Sequence, residues 1–99
     1  MLLYTGHVRL ETERRAATVG TSRIELTAKE FLIMAELMKS KGAAVGYGEL
    51  AERSRSSEAA VKAHVCSIRK KIGAWCVESV YGFGYVVPDV PFFVTVGRE

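Results

Sequence analysis

Four side chains in this sequence have the chemistry to ligate a metal or to pair as nucleophile and base: His7, His64, Cys66 and Cys76. Their spacing argues against both roles. His64 and Cys66 stand two residues apart, about 200° around a helix, so imidazole and thiol do not face each other. The set also lacks the ligand spacing of a zinc site. Gly82-Phe83-Gly84 is glycine-rich, but a strand pattern follows it and not a helix, so it does not read as a phosphate-binding loop. No catalytic constellation is visible, so the chain is not expected to be an enzyme, and no cofactor or metal is expected. The chemistry that does stand out is cationic. Between Arg53 and Lys71 lie Arg53, Arg55, Lys62, Arg69, Lys70 and Lys71 against one acid, Glu58, a local charge of +5 in a chain of net charge +3. The remainder is therefore net negative. Local basicity suits a phosphate backbone, and equally a helix with a solvated face.

The frame that must position these residues is small. The sequence has 99 residues, 48% apolar and 25% charged, which fits one folded domain over residues 1–99. No apolar run is long enough to span a bilayer. The first residues lack the basic flank and apolar stretch of a signal peptide. Two cysteines are too few for a disulfide framework and read as free thiols in a reducing compartment, with a single Cys66–Cys76 bridge as the alternative. A cytoplasmic location is expected.

Residues 1–26 read as an antiparallel β-meander. His7–Glu11, Ala16–Val19 and Arg23–Leu26 are β-prone, Leu2–Tyr4 can add a strand, and residues 11–15 and 20–22 are turns. A three-helix core over 27–73 follows. Thr27 and Glu30 form a capping box for a helix over 28–40, with Ala28, Phe31, Leu32, Ala35 and Met38 at helical spacing. Lys39 and Lys41 suit its negative end, and Gly42 ends it. Gly42–Gly48 reads as a connector, Glu49–Arg53 as a short helix with Leu50 and Ala51 inward, and Ser54–Ser57 as a polar turn. Ser56 or Ser57 caps a third helix, from Glu58 to Ile72.

On that helix Val61, Val65, Ile68 and Ile72 form a narrow core stripe, while Ala63, Cys66, Ser67 and Lys70 point outward. Lys62 and Arg69 flank the outer face on one side, His64 and Lys71 on the other. A small centre with basic flanks lets a helix approach a groove closely and reach phosphates on both walls. Beyond Gly73, Cys76–Tyr81 and Tyr85–Val87 read as a β-hairpin, the wing, within 74–88; Trp75 and Tyr81 are expected to pack in the core or along that hairpin. Pro88 and Pro91 break the ladder. In the tail over 89–99, Phe92–Val96 reads as a strand that packs or pairs, so a homodimer through 90–96 is expected.

These elements in this order describe an α+β winged helix-turn-helix. Three segments resemble the OmpR/PhoB-type winged-helix DNA-binding domain, the output half of many bacterial response regulators: Leu26–Phe31, Ala60–Gly73 and Val80–Tyr85. The likeness covers roughly residues 5–87. The recognition-helix segment alone also resembles the LuxR/NarL-type domain, which lacks the leading sheet and the trailing hairpin.

The resemblance implies sequence-specific binding of double-stranded DNA for transcription regulation. Helix 58–72 would sit in the major groove, and the wing over 80–85 at the minor groove or backbone. It implies backbone contacts from His64 and Arg69, base reading near Cys66 and Ser67, and a hairpin aromatic at Tyr85. Together with the charge pattern, the expected DNA-binding set is Arg53, Arg55, Lys62, Ala63, His64, Cys66, Ser67, Arg69, Lys70, Lys71, Tyr81 and Tyr85.

The sequence departs from the family where Cys66 and Ser67 replace common basic residues and where Tyr81 replaces a wing arginine. Cys66 reads as a small space-filler or as a redox switch. The stretch Leu50–His64 is shorter than the family's usual connection, which in activators touches RNA polymerase. The alternative function is a protein-interaction module docking on RNA polymerase or another regulator.

Overall fold

A capping box starts the central helix, as the Thr27–Glu30 spacing predicts. The Thr27 hydroxyl accepts from the Glu30 N–H at 3.2 Å, and the Glu30 carboxylate accepts from the Thr27 N–H at 3.0 Å. In the computed structural model, which describes residues 2–5, 8–11, 16–19, 22–40 and 42–88, this helix (α1, Ala28–Lys39) packs against the N-terminal sheet and two further helices. The tail strand 92–96, and with it the expected homodimer contact through 90–96, lies outside the described residues, as do His7, Lys41, Pro91 and the turns at 12–15 and 20–21.

The N-terminal sheet is the expected meander, in the order β1 (Leu2–Thr5), β2 (Val8–Glu11), β3 (Ala16–Val19), β4 (Ser22–Glu25), all antiparallel. Its register sets Leu10 opposite Ala17 and Ala17 opposite Ile24. Alternation then turns this row toward the core, where Val8, Leu10 and Ala17 are fully buried.

α1 is buried over more of its circumference than a simple stripe suggests. Phe31, Ile33, Met34, Ala35, Leu37 and Met38 are all buried, together with Glu30. At about 100° per residue these cover roughly 200° of arc. Ala28 and Leu32, read from spacing as core positions, fall on the remaining exposed strip, with Leu32 39% exposed. The cause is tertiary: α1 packs against both following helices and the N-terminal sheet.

The connector Gly42–Gly48 is more ordered than a glycine-rich loop. Val45–Gly46 form a short strand, β5, and α2 begins at Tyr47 and runs to Ser54. α2 ends with Arg55 in the left-handed region (φ 57°). Lys29 of α1 donates to the carbonyls of Ser54 (2.6 Å) and Arg55 (2.9 Å), satisfying two orphan acceptors at that terminus. α3 spans Glu58–Lys71, and the Ser57 hydroxyl accepts from the Ala60 N–H at 3.0 Å. Its inner face is Val61, Val65 and Ile68, all fully buried, with Ile72 partly buried.

Past Gly73 (φ 145°) the chain makes a 3-10 turn over Ala74–Cys76 before the hairpin of β6 (Glu78–Val80) and β7 (Gly84–Val86). The first hairpin strand is thus shorter than the Cys76–Tyr81 expected from its residue types. β5 adds to the other edge, giving the order β5-β7-β6. Gly84 is required there, because a Cβ would lie 1.9 Å from the Val45 carbonyl oxygen. Both cysteines are free thiols, Cys66 exposed and Cys76 buried, so the alternative of a bridge is not realised.

Candidate nucleic-acid interface

α3 separates the predicted residues into two groups. Lys62, Ala63, Cys66 and Lys70 are exposed on the face opposite Val61, Val65 and Ile68. His64 and Ser67 are half-buried at its edge. Ser67, read as outward, instead lies beside Glu30 and helps to stabilise its carboxylate. Arg55 is exposed in the turn before α3.

Three of the six cations in the basic segment form hydrogen bonds or ion pairs within the fold. Arg53 pairs with Glu36 at 2.6 Å and with Glu49. Lys71 pairs with the buried Glu30 at 2.7 Å. Burial by itself would raise the Glu30 carboxyl, but hydrogen bonds from Lys71, Ser67 and the Thr27 backbone outweigh it and hold the group below its ordinary range. Arg69 donates to the Val77 carbonyl from Nε (3.0 Å) and from a terminal nitrogen (2.8 Å), and that nitrogen also reaches the Ser79 hydroxyl at 3.0 Å. Its guanidinium lies 5.5 Å from the Tyr85 ring centre.

The same contacts tie the wing to the helices. Tyr85 and Tyr47 meet edge to face with centroids 5.5 Å apart, and the Lys62 ammonium sits 4.6 Å from the Tyr47 centroid. Arg69, Tyr85, Tyr47 and Lys62 therefore form a continuous ladder from α3 through β7 to α2 and back to α3. Burial raises the Tyr85 hydroxyl pKa above its usual value, as it does the Cys76 thiol, which is pushed up to about 11. Both groups stay neutral at physiological pH. Tyr47, Lys29 and Ser79 were not singled out in the sequence. Their roles depend on strand pairing and helix packing, and only the aromatic character of Tyr47 offered a signal.

The wing tip also departs from expectation. Tyr81 is 99% exposed, and Trp75 and Phe83 are about half-exposed, at 52% and 51%. Tyr81 and Trp75 are thus not core residues. The hairpin has too few residues to fold back over its own tip, and Trp75 lies over Gly73, where a Cβ would be 2.3 Å from the indole nitrogen. Among the described residues no group of three His, Cys, Asp or Glu side chains is placed to hold a metal ion, and no helix is long and apolar enough to cross a membrane.

Comparison with known proteins follows this geometry. Residues 20–87 match the family described as "Transcriptional regulatory protein, C terminal". The transcriptional regulatory protein QseB of Escherichia coli O157:H7 is 29% identical over 89 residues, covering 85% of this chain and 41% of that protein. BasR of E. coli K12 is 28% identical over 90 residues, 86% of this chain and 40% of that protein. The chain thus spans about two-fifths of the length of these relatives. Among solved structures, the DNA-binding domain of CpxR from E. coli superposes with a TM-score of 0.80 at 21% identity, covering 90% of this chain and 97% of that one. The AdeR DNA-binding domain, solved in complex with an intercistronic region, gives 0.77 at 22% identity, covering 88% and 98%. These likenesses confirm the winged-helix fold.

Proposed function

This chain belongs to the family of C-terminal domains of transcriptional regulatory proteins, and from that premise we propose that it is a sequence-specific reader of double-stranded DNA in transcription regulation, folding as one domain over residues 1–99. α3 enters the major groove with Ala63 and Cys66 nearest the base edges. Lys62, Lys70, Arg55 and His64 reach phosphates, and the wing follows the backbone to the adjacent minor groove. Arg53, Arg69 and Lys71 have a different task, which is to hold α2, the wing and α1 in place around α3; Tyr85 and Ser67 support them. The observation that carries this reading is the outer face of α3. It presents small residues and two exposed lysines, Lys62 and Lys70, on a helix whose opposite face is fully buried, so the helix is rigidly seated and its reading face is accessible. The family is one of transcription regulators and not an enzyme class, and the proposed site of action is the cytoplasm. A homodimer through 90–96 would place two such faces on two half-sites.

The test is fluorescence anisotropy on a pool of random duplexes across a salt series, followed by sequencing of the retained DNA. The three exposed cations of the segment outside its ion pairs, Arg55, Lys62 and Lys70, predict a log K against log salt slope near −2.7, at about 0.9 per phosphate. Salt-dependent binding with an enriched motif is expected. No binding at low salt overturns the proposal in favour of docking on RNA polymerase or another regulator.

A further inference from the structure

The wing carries no cation. From Glu78 to Val86 the sequence is Glu-Ser-Val-Tyr-Gly-Phe-Gly-Tyr-Val, with one acid and no Lys or Arg. At a nucleic acid this hairpin has no charged side chain of its own with which to hold phosphate. Its tip is instead an unsupported aromatic ring on a supported base. Tyr81 is 99% exposed. Gly82, beside it, adopts φ 74°, and a Cβ there would meet nothing within 4 Å, so the tip projects clear of the rest of the fold.

The base is fixed from several directions. The Phe83 N–H donates to the Val80 carbonyl at 2.9 Å, closing a tight turn, and the Tyr47 N–H donates to the Phe83 carbonyl at 2.9 Å. The Phe83 ring lies against Gly46, 3.5 Å from where a Cβ would stand. Gly84 is pressed against the Val45 backbone. Arg69 bonds β6 and its approach directly to α3 through Val77 and Ser79. The ring is thus presented in a fixed relation to the helix that carries the reading face.

We propose that Tyr81 is an aromatic wedge, which stacks into a base step in the minor groove beside the site occupied by α3. This rests on the DNA-binding reading above and adds to it a contact of a different chemistry. An exposed ring on a rigid turn gains from covering its faces, and a base step supplies two flat apolar faces at the groove floor. With no Lys or Arg on the hairpin, its tip has no charge-assisted contact to phosphate to offer, and the Tyr81 ring is the largest group it can present. Insertion is easiest at pyrimidine–purine steps, which unstack readily, so the wedge gives the protein a preference for TA or CA/TG at the flanking position without any hydrogen bond to a base.

The experiment uses the full chain and a duplex from the retained pool, with 2-aminopurine placed in turn at each position flanking the α3 site. Wild-type binding should raise 2-aminopurine fluorescence at one step only, because that base is unstacked. Tyr81→Ala should abolish the rise and weaken binding by about ten-fold, the stacking gain less the unstacking cost. The salt slope should not change, since no charge is removed; Tyr81→Phe should behave as wild type. Tyr81→Arg should recover affinity with a slope steeper by about one. Because Tyr81 touches nothing in the fold, none of these variants should unfold. If wild type binds with a salt slope but no flanking base brightens and Tyr81→Ala binds equally well, the wedge is wrong and the DNA-binding reading stands. If wild type binds no duplex, both fall, and retention of a protein partner lost on Tyr81→Ala would assign the ring to that partner.

Discussion

Arg69 and Lys70 are consecutive cations on α3, one bonded to the wing and one exposed, and the proposed function gives them opposite tasks. Replacing each by alanine therefore separates holding the wing from holding the DNA. Arg69→Ala removes three hydrogen bonds, at 3.0, 2.8 and 3.0 Å, and the cation over Tyr85 at 5.5 Å. Hydrogen bonds from a charged donor contribute about 1.5–3 kcal/mol in favourable cases. Arg69 is half-buried and the freed Val77 carbonyl is partly rehydrated, so the net loss is set at about 2 kcal/mol for the group. In a domain of this size that lowers Tm by roughly 8–16 °C. Lys70 is exposed and its loss should fall within about 0.5 kcal/mol. On DNA the order reverses. Lys70→Ala should flatten the log K against log salt slope by about 0.9, so that a fourfold rise in salt costs the variant roughly 3.5-fold less affinity than it costs wild type. Arg69→Ala, measured well below its own Tm, should leave the slope unchanged. The assays are thermal unfolding by circular dichroism and anisotropy at four or more salt concentrations. A flattened slope with an unchanged Tm for Arg69→Ala would refute the assignment, since it would place the guanidinium on phosphate and not on the wing.

Two further outcomes test the surrounding packing. Lys71→Met removes the cation from a buried carboxylate. Because the Glu30 carboxyl lies below its ordinary value of 4.5 in the folded state, its stabilising effect is present above that value and is lost as pH falls through the folded one. The variant should therefore lose about 1–2 kcal/mol at neutral pH, a figure discounted for the partial exposure of Lys71, and much less at a pH below the folded-state value of Glu30, where the carboxyl is neutral. Equal losses at both pH values in urea unfolding would count against the pair. Arg55→Gly relieves a left-handed residue at φ 57° and should raise stability by about 1 kcal/mol, while flattening the salt slope by about 0.9. A stability gain with an unaltered slope would remove Arg55 from the DNA face.

Local chemistry made much of this protein legible in its sequence. The Thr27–Glu30 capping box, the Ser57 cap, the Val61–Val65–Ile68 stripe and the glycine hairpin are each set by neighbours within a few residues, and the helices and wing follow from them. The inward and outward sides of α3 were readable for the same reason, because one narrow stripe fixes the rest of a helix by rotation. Tertiary structure decided what each cation does. Six basic side chains look alike along the chain, yet Arg53, Arg69 and Lys71 find acceptors on α1, the wing and Glu30, 8 to 41 residues away, in addition to the i,i+4 partner Glu49 that helical spacing does give Arg53. Lys62, Lys70 and Arg55 remain at the surface. The partner of a long flexible side chain depends on which carbonyls and carboxylates the packing brings within 3 Å, and no spacing rule encodes that. The same holds for β5, a two-residue strand that exists because β7 offers it an edge, and for Tyr81. Its aromatic type suggested burial, but its place at the tip of a short, braced turn leaves it with nothing in the fold to pack against.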